Sequence, residues 1–96
     1  MKSIMQDEKK CYVTKKKPSE YVVLHKHHIY GGNPNRDISE ENGFWVWLIP
    51  EYHNMSDEGV HFNEEFDTAL KQECQLKYEE THTREEFMAL IGRSYL

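Results

Sequence analysis

Leu24-His25-Lys26-His27-His28-Ile29, followed after the loop Gly31-Gly32-Asn33-Pro34-Asn35 by Phe44-Trp45-Val46-Trp47-Leu48-Ile49-Pro50-Glu51-Tyr52-His53, is the stretch that decides the fold. β-branched Val22 and Val23 lead into the first run, so Tyr21 to Ile29 is expected to be a strand. On a strand His25, His27 and Ile29 share one face, while Leu24, Lys26 and His28 share the other. The glycines and Pro34 end it near Tyr30. Phe44 to Ile49 reads as a second strand that is apolar on both faces and is stopped by Pro50. Arg36 to Asn42 between them reads as loop, with at most a helical turn from Ser39.

Outward from this hairpin the signals change. Asn63 is an N-cap followed by Glu64, Glu65 and Asp67, where the helix dipole favours acids. Phe62, Phe66, Leu70, Cys74 and Tyr78 recur every four residues and predict a helix from about Asn63 to Glu80. Cys74 lies in that stripe and reads as a small buried hydrophobe. Thr83-Arg84-Glu85-Glu86 is a capping box opening a short helix that Gly92 stops. On the N-terminal side, Met1 to Lys10 reads as a polar, frayed start or a single helical turn, and Cys11 to Thr14 as a short β-prone piece. Lys15-Lys16-Lys17 reads as an exposed turn, or as a phosphate contact.

The chain has 96 residues, which predicts one domain with a thin core. The fold class is α+β. The hairpin and the helix after it form a core over about 21–80, and a further C-terminal helix covers 83–92. The formal charge is −5. Residues 1–50 hold eight Lys/Arg and six Asp/Glu, a balance of +2; residues 51–96 hold four and eleven, a balance of −7. Such a total argues against permanent residence on nucleic acid, though a basic face on the first half suits a transient encounter. The two cysteines, Cys11 and Cys74, form no C-x-x-C pair and are too few for a disulfide-stapled secreted module. No run is long and apolar enough to span a membrane, and the expectation is a soluble cytoplasmic protein.

Five of the six histidines lie between Leu24 and His61. Imidazoles on a strand and on the turn after a second strand can hold one divalent metal ion with open positions. A further neutral imidazole can take a proton from water for attack on a phosphodiester. Adjacent strand residues point to opposite faces, so His27 and His28 are expected to split these tasks. His27 is assigned as metal ligand and His28 as general base. The bland alternative for His25 and His27 is ordinary strand surface.

His27-His28-Ile29, Asn42 and Leu48-Ile49-Pro50-Glu51-Tyr52-His53-Asn54 resemble the HNH (ββα-metal, His-Me finger) endonucleases. The run is also similar to small phage-encoded HNH proteins, including RecA-dependent recombination-enhancement nucleases. The resemblance covers residues 24–61. It implies a ββα-metal core and metal-dependent DNA cleavage, as nicking of low sequence specificity. It implies His27, His53 and His61 as metal ligands, His28 as base, and Asn42 as the residue that orients the base. Lys26 and Arg36 are the expected phosphate contacts. The cofactor expected is one divalent ion, magnesium, manganese, nickel or zinc, and the phage context implies a host cytoplasm. One departure is plain: where many members carry two C-x-x-C pairs for structural zinc, Cys11 stands alone, with Thr14, Ile49 and Tyr52 at the other positions. The alternative is a catalytically inactive HNH-like binding module acting on DNA or on a host or phage recombination protein. Trp45 and Trp47 would then be its contact, or the seam of a homodimer.

Overall fold

The computed structural model describes residues 1–53 and 63–96. Two strands, β1 (His25–His28) and β2 (Trp45–Leu48), pair antiparallel. The helix α1 (Asn35–Asn42) lies between them in sequence, and α2 (Pro50–His53), α3 (Glu64–Tyr78) and α4 (Arg84–Ile91) follow. The fold is therefore α+β, with a two-stranded sheet and, among the described residues, four helices. None of these helices is long and apolar enough to cross a membrane.

Register sets the two faces. His25 pairs with Leu48 and His27 with Val46, so these four share the inner face; Lys26 pairs with Trp47 and His28 with Trp45 on the outer face. Inside, Ile29, Tyr30, Phe44, Val46 and Leu48 pack against Leu70 and Cys74 of α3 and Phe87 and Ile91 of α4. Tyr30, Phe44, Tyr78 and Phe87 meet mostly edge-on, with Tyr30 and Phe44 centroids 5.5 Å apart and Phe44 and Tyr78 5.4 Å apart. Edge-to-face contacts of this kind add to the burial of the rings themselves. The Tyr30 hydroxyl donates to the Lys71 carbonyl at 2.5 Å, which pins α3 to the end of β1.

The helices α3 and α4 form as their caps dictate. The Asn63 side chain accepts from the Phe66 N–H, and Thr83 and Glu86 make the reciprocal capping box. Gly92 closes α4 in the left-handed region, with φ 98°. Cys74 is buried, as its place in the apolar stripe requires.

Four expectations are corrected. Arg36–Asn42 is helical over its whole length, as part of α1. Its sequence shows no apolar period because its one fully buried side chain is a serine: the Ser39 hydroxyl donates to the Tyr30 carbonyl at 2.9 Å and accepts from the Tyr30 N–H at 3.3 Å. Strand β1 is only four residues long, because its partner is; Tyr21 and Val23 are exposed instead, at 88% and 59%. The first ten residues are not frayed. Ser3 donates to the Trp45 carbonyl, Gln6 accepts from the Trp47 N–H at 2.8 Å, and the Tyr12 N–H donates to the Trp47 carbonyl at 2.8 Å. Side chains and one amide thus take the place of a third strand and cover an edge that would otherwise be open.

Cys11 to Thr14 is a turn and not a strand. The Thr14 N–H reaches the Cys11 sulfur at 3.5 Å. Burial pushes this thiol up, but hydrogen bonds from the Thr14 side chain and backbone, and from the backbones of Ile49 and Val13, outweigh it and leave the thiol below its ordinary value.

Candidate metal and phosphodiester site

The inner face of β1 and the short helix α2 bring three imidazoles together. Pro50 ends β2 and opens α2, since its fixed φ and missing N–H suit the first helical position. One turn later α2 delivers His53 beside the strand. The Nδ1 atoms of His25 and His53 are 3.1 Å apart, with ring centroids at 5.2 Å; the His27 ring lies 5.3 Å from that of His53. His27 is 5% exposed.

Two nitrogens at this spacing can share one proton in a hydrogen bond. They can equally bind one ion: ligand bonds of about 2.0–2.1 Å from each imidazole bring the two nitrogens to roughly 3 Å. The donor chemistry therefore fits two positions of a divalent ion. No group of three or more His, Cys, Asp or Glu able to hold a metal occurs among the described residues. His61, the expected third ligand, lies outside them. His25 was not among the expected ligands; the i, i+2 spacing of His25 and His27 was the signal that could have found it.

His28 points the other way, as the strand's alternation requires. Its Nε2 is 2.8 Å from the Glu40 carboxylate. The Lys26 ammonium lies 3.3 Å from both Glu40 oxygens and 4.2 Å from the centre of the Trp45 ring. Glu40 is held below its ordinary value, first by the bond to His28, which together with Lys26 outweighs the opposing effect of burial. Asn42, expected to orient the base, instead donates its amide to the Ile38 carbonyl of its own helix at 2.9 Å. It lines a separate hollow with Ile4, Tyr78 and His82. Glu40 was missed by sequence reasoning, because nothing in the sequence placed α1 across the outer face.

The two faces meet at the end of β1. A cleft of about 300 Å³ is lined by Lys26, His27, His28, Gly31, Gly32, Arg36 and His53. It holds both expected phosphate contacts beside three of the histidines, and the two glycines leave its rim without side chains. A second hollow of about 290 Å³ adjoins it across His27, His28 and Gly31, with Glu64, Asp67 and Lys71 of α3 as its far wall. Lys71 is paired with Asp67 at 2.8 Å, so that wall is acidic on balance.

Comparison with protein-family models, with curated proteins and with solved structures gave no match.

Proposed function

We propose that this chain is a metal-dependent endonuclease with an HNH-type ββα-metal centre, cleaving the phosphodiester backbone of DNA with low sequence specificity. The observation that carries the reading is the sorting of imidazoles by strand face. His25, His27 and His53 cluster on the inner face, while His28 is turned outward with a carboxylate partner. Cleavage needs two such environments at the same phosphate: one rich in metal-binding nitrogen and one holding a base.

His25 and His53, whose Nδ1 atoms are 3.1 Å apart, would hold the ion, with His27 beside them; His61, the other expected ligand, lies outside the described residues. When bound, the ion supplies charge stabilisation to the phosphate undergoing attack. The chain's own residues do the rest. Lys26 and Arg36 line the cleft and attract the backbone of the substrate. Neutral His28 accepts the proton of the attacking water. The exposed Gly31-Gly32 turn keeps the approach free of side chains.

The acidic far wall, Glu64 and Asp67, favours a second reading, an HNH-like module that binds a protein partner such as a recombination protein and does not turn over. One experiment separates them. Supercoiled plasmid is incubated with the protein and magnesium, manganese, nickel or zinc, and with chelator. Conversion to nicked circle with an ion and not with chelator supports the nuclease. Intact plasmid under every ion, with folded protein, refutes it in favour of the binding module.

A further inference from the structure

The outer face of the hairpin carries a connected set of charges that the family pattern does not call for. Glu40 sits between His28 and Lys26, close to both. Its position follows from the fold. Ser39, the residue before it, is fully buried and bonds both backbone groups of Tyr30, two residues beyond His28. That clamp fixes where α1 crosses the end of β1. The Gly43 N–H bonding back to the Ser39 carbonyl closes the helix behind it. Glu40 therefore projects from a helix turn held at both ends, and its reach to His28 is built in.

We infer that Glu40 is a positioning residue for His28: it accepts the Nε2–H of the neutral imidazole and leaves Nδ1 as the nitrogen that takes the proton from water. The inference rests on the nuclease reading for its consequence but not for its geometry. A neutral imidazole has one donor and one acceptor nitrogen, and a carboxylate can only accept, so a 2.8 Å contact to Nε2 defines the tautomer. In this chain, then, a carboxylate on α1 does what the Asn42 amide, turned to Ile38, does not.

Glu40 touches Lys26 as well, so removing it could act through substrate binding instead. The kinetic parameters separate the two routes. An effect through His28 lowers kcat; an effect through Lys26 alters KM. The test compares wild type, Glu40→Ala and Glu40→Gln, each shown to be folded by circular dichroism, in two measurements. The first is the steady-state nicking rate. Glu40→Ala should lose about tenfold to a hundredfold in kcat with KM unchanged or lower, and Glu40→Gln, whose amide oxygen still accepts from Nε2–H, should recover most of it. The second is the proton NMR spectrum of the metal-free protein. The His28 ring N–H, assigned by its loss in His28→Gln, should be visible in wild type and Glu40→Gln and lost to solvent exchange in Glu40→Ala. Unchanged kcat in Glu40→Ala, a change confined to KM, or a ring N–H that persists without Glu40 would each overturn the inference. If wild type does not cleave at all, the nuclease reading fails, and the ring N–H still decides whether Glu40 holds His28.

Discussion

Gly43→Ala should destabilise the protein by an amount that can be apportioned. Gly43 caps α1 with φ 75°, a conformation that costs an L-residue roughly 1–2 kcal/mol. A Cβ there would also overlap the Lys2 carbonyl oxygen and crowd Ile4, at 3.2 Å from its nitrogen and 3.3 Å from its Cγ2. Backbone cannot fold away as a side chain can, so the segment must lift. Lifting it breaks the Ile4 N–H bond to the Gly43 carbonyl, 2.9 Å long, for about 0.5–1.5 kcal/mol more. The total is about 1.5–3.5 kcal/mol, which for a domain of this size corresponds to a fall of roughly 6–28 °C in Tm. Thermal melts by circular dichroism measure the loss. Tryptophan emission reports the lifting, because Ser3 and Met1 bond the Trp45 carbonyl and indole. In a chain beginning at Met5 the same substitution should cost only the left-handed penalty, roughly 1–2 kcal/mol. Equal losses in the two backgrounds, or a Tm within 2 °C (about 0.5 kcal/mol) of the parent, would refute the packing of residues 2–4 described above.

Gln75 is fully buried, accepting from the Tyr95 N–H at 2.7 Å and donating to Ser94 at 2.9 Å and Glu79 at 2.7 Å. Gln75→Leu keeps the volume and strands that amide, so urea unfolding should show a loss of about 1–3 kcal/mol, with faster hydrogen exchange at Tyr95. Tyr12 is pushed up to about 12 by burial and by Glu73, from an ordinary value of 10.0. A tyrosine raised on folding contributes stability that is complete below its ordinary value and lost as pH rises through the folded one. Between pH 10 and 12 wild type should therefore lose more stability than Tyr12→Phe, and parallel losses would contradict this. Both thiols are buried and free, and burial pushes Cys74 up to about 12. Native protein should leave both unreacted with a thiol reagent over minutes, and denaturant should release two.

Much of the scaffold was legible because its signals are local. β2, the four-residue period of α3 and the capping box of α4 each belong to one segment, and each formed where the pattern put it. Helix α1 was not legible, since its stability comes from Ser39 bonding Tyr30 and not from an apolar face. The N-terminal segment was misread for a related reason: polar Ser3 and Gln6 resemble a solvated tail until their partners on β2 are known. Within the site, strand alternation correctly separated His27 from His28. It also placed His25 on the face of His27, although His25 was not drawn from it as a candidate ligand. Glu40 depends on where α1 crosses the hairpin, so no spacing rule could have reached it.

The central claim is a division of labour between the two faces of β1, and His28→Ala tests it most directly. Wild type and variant are compared for nicking of supercoiled plasmid, and for divalent-ion affinity by titration calorimetry on the same preparations. The account predicts that the variant loses cleavage by about a hundredfold or more while its ion affinity stays within a few fold of wild type. Equal cutting by the two proteins, or loss of ion binding together with cleavage, would contradict it.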